Sequence, residues 1–151
     1  MMNKINETVE YLKKATNFIP EIGIILGSGL GNLTDEITIE HSISYQDIPN
    51  FPVSTVKGHS GKLVFGTLSG KKVIAVKGRF HYYEGWSMEQ VVFPVRVMKF
   101  LGIETLIVSN AAGGMGEKFR VGDLMIINDH INFQPEHPLR GKNNDDLGPR
   151  F

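Results

Sequence analysis

"GIILGSGLG", residues 23–31, sets three large apolar residues, Ile24, Ile25 and Leu26, directly before a turn made of glycine and serine. A short apolar run bounded by glycine reads as a buried strand. Gly27, Gly29 and Gly31 free the backbone so that amides can point at a ligand, and Ser28 adds a hydroxyl donor. A hydroxyl and a bare backbone at a strand end suit a small anion, with a plain tight turn as the competing reading. The dinucleotide pattern G-x-G-x-x-G needs glycine at position 32, which is Asn32, so that reading fails.

The same layout recurs twice. "VKGRFHYYEG" at 76–85 and "VSNAAGG" at 108–114 are also β-runs that end in glycines and polar groups. Ligands of α/β sheets collect at strand ends, so three such ends can converge on one site. The rest of the chain supplies the scaffold. Ile5, Val9, Leu12 and Ala15 recur at helical spacing and predict a surface helix over residues 5–17. "KLVFGTLSGKKVIAVKG" (62–78) contains two apolar runs split by Ser69-Gly70, a hairpin signal. Ser87 can cap a helix with Met88, Val91, Val92, Val95, Met98 and Leu101 on its apolar side, closed by Gly102. Pro94 inside it should bend the helix or cost it a hydrogen bond. "TLIVSNAAGG" (105–114) and "DLMIINDHINF" (123–133) read as two further buried strands, and the chain turns polar and irregular after Phe133. Alternating strands and helices predict an α/β fold, a mixed β-sheet flanked by helices.

Composition bounds the function. The chain has 151 residues, 41% of them hydrophobic, enough for the core of one domain. Its 16 basic and 16 acidic residues cancel, which argues against broad attraction to nucleic acid or anionic lipid. No apolar run approaches the ~18 residues of a membrane span. The N-terminus is too polar for a signal peptide, and we expect a cytoplasmic protein. The absence of cysteine excludes disulfides, thiolate metal sites and a cysteine nucleophile.

Within "GRFHYYEG", Arg79 and His81 alternate, so both can face one side of an extended strand end. A guanidinium fork matches phosphate oxygens, and an imidazole adds a donor. Tyr83 continues the alternation with a hydroxyl on an aromatic body, which suits a sugar, and Glu84 can orient the histidine or accept a proton. The plain alternative is a surface strand carrying a cation and aromatic rings. His59 and His81 both lie near glycines, whereas His41, His130 and His137 read as structural or solvated. The histidine spacing contains no zinc pattern. "GHSGKL" (58–63) resembles the end of a phosphate loop, but Leu63 stands where Ser or Thr is required and Val56 where glycine is required. In "SNAAGG", Asn110, Ala111, Ala112, Gly113 and Gly114 leave a strand with almost no bulk, open to a flat ligand or a phosphate, or to close packing against a helix.

"GSGLG", "GHSGKL", "GRFHYYEG", "SNAAGG" and "GDLMIINDHINF" stand in an order and spacing that resembles the purine nucleoside phosphorylase family, in its trimeric branch acting on inosine and guanosine. The resemblance runs from about residue 20 to Phe151. It implies that Ser28, His59, Arg79, His81 and the amide of Ala111 bind inorganic phosphate, the co-substrate, with no other cofactor and no metal. It implies that Tyr83 faces the ribose and that Glu84 holds His81, the two forming the catalytic pair. Asn110, Ala112 and Gly113 would line the purine pocket. Phe151, in "GPRF", would reach the neighbouring subunit's site in a homotrimer. The implied reaction is reversible phosphorolysis of purine (deoxy)ribonucleosides to free base and (deoxy)ribose 1-phosphate. The family's purine-reading Glu and Asn, a second phosphate-binding serine and a ribose-contacting histidine have no counterpart here. The resemblance therefore implies that residues 1–151 are the N-terminal part of a single phosphorylase domain, incomplete at the C-terminus. The alternatives are a non-catalytic phosphate- or nucleoside-binding fragment and a methylthioadenosine phosphorylase-like enzyme.

Overall fold

The computed structural model describes residues 1–27, 29–53 and 61–149. Helix α1 (Met2–Thr16) is followed by strand β1 (Ile22–Ile25) and strand β2 (Thr38–Ser44). Strands β3 (Lys62–Leu68) and β4 (Lys71–Lys77) form the expected hairpin about Ser69 and Gly70. Helix α2 (Met88–Leu101) and strand β5 (Thr105–Val108) complete the regular elements, with short 3₁₀ turns between. The sheet has the order β2-β3-β4-β1-β5. It is mixed, as expected: β2, β3 and β4 pair antiparallel, whereas β1 pairs parallel with β4 on one side and β5 on the other.

The hairpin strands read as unbroken apolar runs because both of their faces are covered. Leu63, Phe65, Ile74 and Val76 point into the larger core, with Ile5, Val9 and Leu12 of α1 and Phe93, Val97, Met98 and Leu101 of α2. Val64, Val73 and Ala75 point the other way and pack with Ile24, Leu26 and Ile37. Both helices thus lie on one face of the sheet, and the opposite face is closed by the segment before β2.

Helix α2 begins in a full capping box, Ser87 with Gln90, and ends at Gly102 with φ 110°. It runs through Pro94 without a break, so the proline costs one hydrogen bond and not the helix. Its buried residues are Phe93, Pro94, Val97, Met98 and Leu101. The expected apolar side is present, with Met98 and Leu101 buried and Val91 and Val95 against the core, but it is wider than expected, because Phe93 and Val97 are also buried in it and Phe93 reaches the aromatic cluster.

Two further expectations are corrected. Strand β5 forms but is not buried: among the described residues it is an edge, paired only with β1, and Val108 is 59% exposed. Residues 123–133 form no strand, with Leu124, Ile126 and Phe133 all at least 90% exposed. Alternating apolar residues become a strand only when a neighbour supplies the ladder, and among the described residues none does so here. Strand β2 lay outside the sequence reading. Its exposed, polar pattern hid it, and its place in the sheet comes from pairing with β3.

Candidate functional site

Because β4, β1 and β5 are adjacent and parallel, their C-terminal ends lie side by side. Ile25 is in register with Val76 on one side and with Val108 on the other. The convergence expected from three glycine-flanked strand ends is therefore present. The strand ends are also tied together. The Gly27 amide donates to Ser109 Oγ at 2.9 Å, and the Ser109 amide donates to the Ile25 carbonyl at 3.2 Å. Arg79, two residues past β4, reaches across β1 to donate from Nη1 to the Ser109 carbonyl at 2.8 Å.

Two of the three glycines of the first turn have a reason to be glycine, and the two reasons differ. A Cβ on Gly27 would lie 2.6 Å from the Ser109 carbonyl oxygen, so the close approach of β1 and β5 requires its absence. Gly29 has φ +83°, in the left-handed region. Gly31 has open space around it and an ordinary φ. The Gly27 amide is taken by Ser109, which corrects the expectation that it points at a ligand.

From Arg79 a chain of side chains follows. Arg79 Nε donates to His81 Nε2 at 3.0 Å. His81 Nδ1 meets Glu84 Oε1 at 2.6 Å, and the Trp86 indole N–H donates to Glu84 Oε2 at 3.1 Å. Burial pushes the Glu84 carboxyl upward, but the His81 and Trp86 hydrogen bonds outweigh it and hold the group below its ordinary value. Tyr83 does not continue a strand alternation, since residues 82–84 form a 3₁₀ turn. Its ring nevertheless stacks on His81, with centroids 4.9 Å apart at 27°, and it is 81% exposed.

Behind these residues, Tyr45 is buried, and its hydroxyl donates toward the Gly78 and Lys77 carbonyls at 2.8 and 3.1 Å. Its ring packs on Phe80 and Phe51, and burial raises its phenol well above the usual range. The backbone that carries Arg79 is thereby fixed from beneath. A Cβ on Gly61 would fall inside the Tyr45 ring, so the chain entering β3 can cross that ring only as glycine.

Asn110, Ala111, Ala112 and Gly113 follow β5 as exposed chain beside the first turn, and no hydrogen bond joins them to Arg79 or His81. Ser28, His59 and Phe151 lie outside the described residues. Three contributors escaped the sequence reading: Ser109, Tyr45 and Trp86. Ser109 carried a usable signal, a hydroxyl closing an apolar strand as Ser28 does. Trp86 carried a fainter one, lying two residues after Glu84.

The arrangement suits an anion. Arg79 has two neutral acceptors, a carbonyl and an imidazole, and among the described residues no carboxylate forms an ion pair with it. Among the same residues, no group of three or more His, Asp or Glu could hold a metal ion.

Residues 21–151 match the model of the phosphorylase superfamily. The chain belongs to that superfamily. It is 59% identical, over all 151 residues, to purine nucleoside phosphorylase 1 of Bacillus subtilis, covering 56% of that protein. It is 52% identical to purine nucleoside phosphorylase of Rattus norvegicus, with 95% of this chain and 51% of that one aligned. The crystal structure of Schistosoma mansoni purine nucleoside phosphorylase in complex with inosine superposes with a TM-score of 0.90 at 46% identity, covering 99% of this chain and 53% of that one. The chain thus spans about half the length of the superfamily members it matches. The strand ends described above lie wholly within the matched region.

Proposed function

We propose that the protein is a purine nucleoside phosphorylase, cleaving purine (deoxy)ribonucleosides with inorganic phosphate to free base and (deoxy)ribose 1-phosphate. On this reading residues 1–151 form the N-terminal part of one phosphorylase domain and supply the phosphate and ribose side of the site. The carrying observation is Arg79, a guanidinium that among the described residues pairs with neutral acceptors alone, where three strand ends meet. The similarity to phosphorylases over the whole chain supports the choice of reaction.

Arg79 holds the phosphate, with Ser28, His59 and the Ala111 amide as the further donors, and His81 belongs to this end of the site by accepting from Arg79 Nε and fixing the guanidinium. Glu84 orients His81, and Tyr83 lies against the ribose. Asn110, Ala112 and Gly113 form one wall of the purine pocket. Phosphate held below the anomeric carbon stabilises the oxocarbenium-like sugar as the glycosidic bond breaks. A phosphate oxygen then bonds that carbon, and the bond's electron pair leaves with the base. Positioning and charge carry such a step without a covalent enzyme intermediate. We place Phe151 at the neighbouring subunit's site in a homotrimer, with the protein in the cytoplasm. No helix among the described residues is long and apolar enough to cross a membrane.

Phosphate-dependent release of hypoxanthine from inosine is the assay. Arg79→Ala should raise the phosphate KM and lower turnover, a loss of about 2–5 kcal/mol by analogy with truncated charge pairs. Unchanged phosphate kinetics would place Arg79 on an ordinary surface loop. Phosphate binding seen by calorimetry without turnover would instead favour a binding module, a reading motivated by the chain's half-length coverage of its relatives.

A further inference from the structure

Each hydrogen bond between Trp86 and Ser109 has a donor and an acceptor fixed by chemistry, and that has a consequence. Arg79 Nε carries a proton and has no lone pair to offer, so His81 Nε2, 3.0 Å away, must be the acceptor. A neutral imidazole has one N–H, which leaves it on Nδ1, where Glu84 Oε1 receives it at 2.6 Å. Glu84 has two oxygens, and the second is claimed by the indole N–H of Trp86 at 3.1 Å. The indole is also donor-only. Two groups that can only donate therefore bracket the histidine and its carboxylate.

Trp86 is itself well anchored. Its ring meets Phe80 edge-on, with centroids 5.5 Å apart at 74°. It directly precedes Ser87, the N-cap of α2, and Trp86 and Val91 both pack against the larger core from the two positions of a hydrophobic staple. The 3₁₀ turn at 82–84 ends at Gly85 with φ 93°, which redirects the chain between the glutamate and the tryptophan.

We infer that Trp86 is a positioning residue: by holding Glu84 Oε2 it commits Oε1 to the His81 Nδ1 proton and keeps Nε2 as the nitrogen that faces Arg79. The functional meaning rests on the reading of Arg79 and His81 as the phosphate end of the site. A Trp86 present only as a packing aromatic would need its ring but not its N–H. Freed of that N–H, the carboxylate can rotate and carry the His81 ring off Arg79 Nε, and the tautomer that this contact fixes is then lost.

The test is two-bond ¹H–¹⁵N correlation of the imidazole nitrogens in the intact protein, with His81 assigned by His81→Gln. The parent should show the Nδ1–H tautomer. Trp86→Phe should shift His81 to a mixture of tautomers. Site-specific replacement of Trp86 by β-benzothienylalanine, which keeps the bicyclic shape and lacks the N–H, should do the same, whereas a role in packing alone would leave that variant like the parent. Inorganic phosphate should bind both variants about tenfold more weakly, the scale of one hydrogen bond to a charged group. In a Glu84→Gln background the Trp86 replacement should add little, because the group it acts through is changed. An unchanged His81 tautomer in both variants overturns the inference. A shifted tautomer with phosphate affinity unchanged upholds the role of Trp86 and sinks the phosphate reading instead.

Discussion

The β3–β4 hairpin and the stretch from β5 to Phe133 are both rich in apolar residues, yet they end in opposite surroundings. Leu63, Phe65, Ile74 and Val76 are at most 1% exposed, whereas Ile107 is 48% and Phe133 90% exposed. Strands β3 and β4 each have a neighbour on both edges and packed side chains on both faces. Strand β5 has a neighbour on one edge only, and residues 123–133 join no ladder among the described residues. Hydrophobic character sets what a segment gains from burial, and neighbours decide whether the gain is realised.

The sharpest way to break the comparison is to truncate one phenylalanine from each region. Phe65→Ala opens a cavity where the ring meets Phe18 edge-on and should cost about 3–5 kcal/mol. Phe133→Ala should stay within about 0.5 kcal/mol by denaturant unfolding, since its ring is largely in water. Equal losses at the two positions would mean that residues 123–133 are packed in solution.

A smaller effect lies where the regions meet. Gly27→Ala forces a methyl group against the Ser109 backbone and should push β1 from β5, at a cost of about 1–3 kcal/mol. Arg79 should lose its carbonyl partner with it, weakening phosphate binding measured by calorimetry. Gly31→Ala meets nothing and should leave both properties unchanged. Removing the α2 cap with Ser87→Ala should cost about 1 kcal/mol in thermal unfolding, without touching β5.

The smallest effect is a pH dependence. The Glu84 carboxyl sits below its ordinary value of 4.5, so its contribution to stability is complete above that value and is lost as pH falls through the lowered one. Glu84→Gln should flatten that acid limb slightly. An unaltered limb would show that the His81 and Trp86 bonds add no net stability.

Much of the site was legible because its signals are local. Glycines after apolar runs mark strand ends, and the spacing of Arg79, His81 and Glu84 places chemically matched groups close together. That Arg79 and His81 share a side survives in the 3.0 Å contact between them. Ser109, Tyr45 and Trp86 were missed because each acts across a long sequence separation or through one hydrogen bond. Tyr45 lies 33 residues from Gly78, whose carbonyl it holds. Nothing near Tyr45 in the chain announces that role.

Local patterning was enough to locate both helices, four of the five strands, the hairpin turn and the cap at Ser87. It could not supply the order β2-β3-β4-β1-β5, the burial of Phe93 and Val97 on α2, or the exposure of β5. Periodicity and capping are properties of a few consecutive residues, so they can be read along the chain. Strand adjacency depends on which distant segments exchange backbone hydrogen bonds and share a buried face. That exchange brings Gly27, Arg79 and Ser109 together at the ends of three strands.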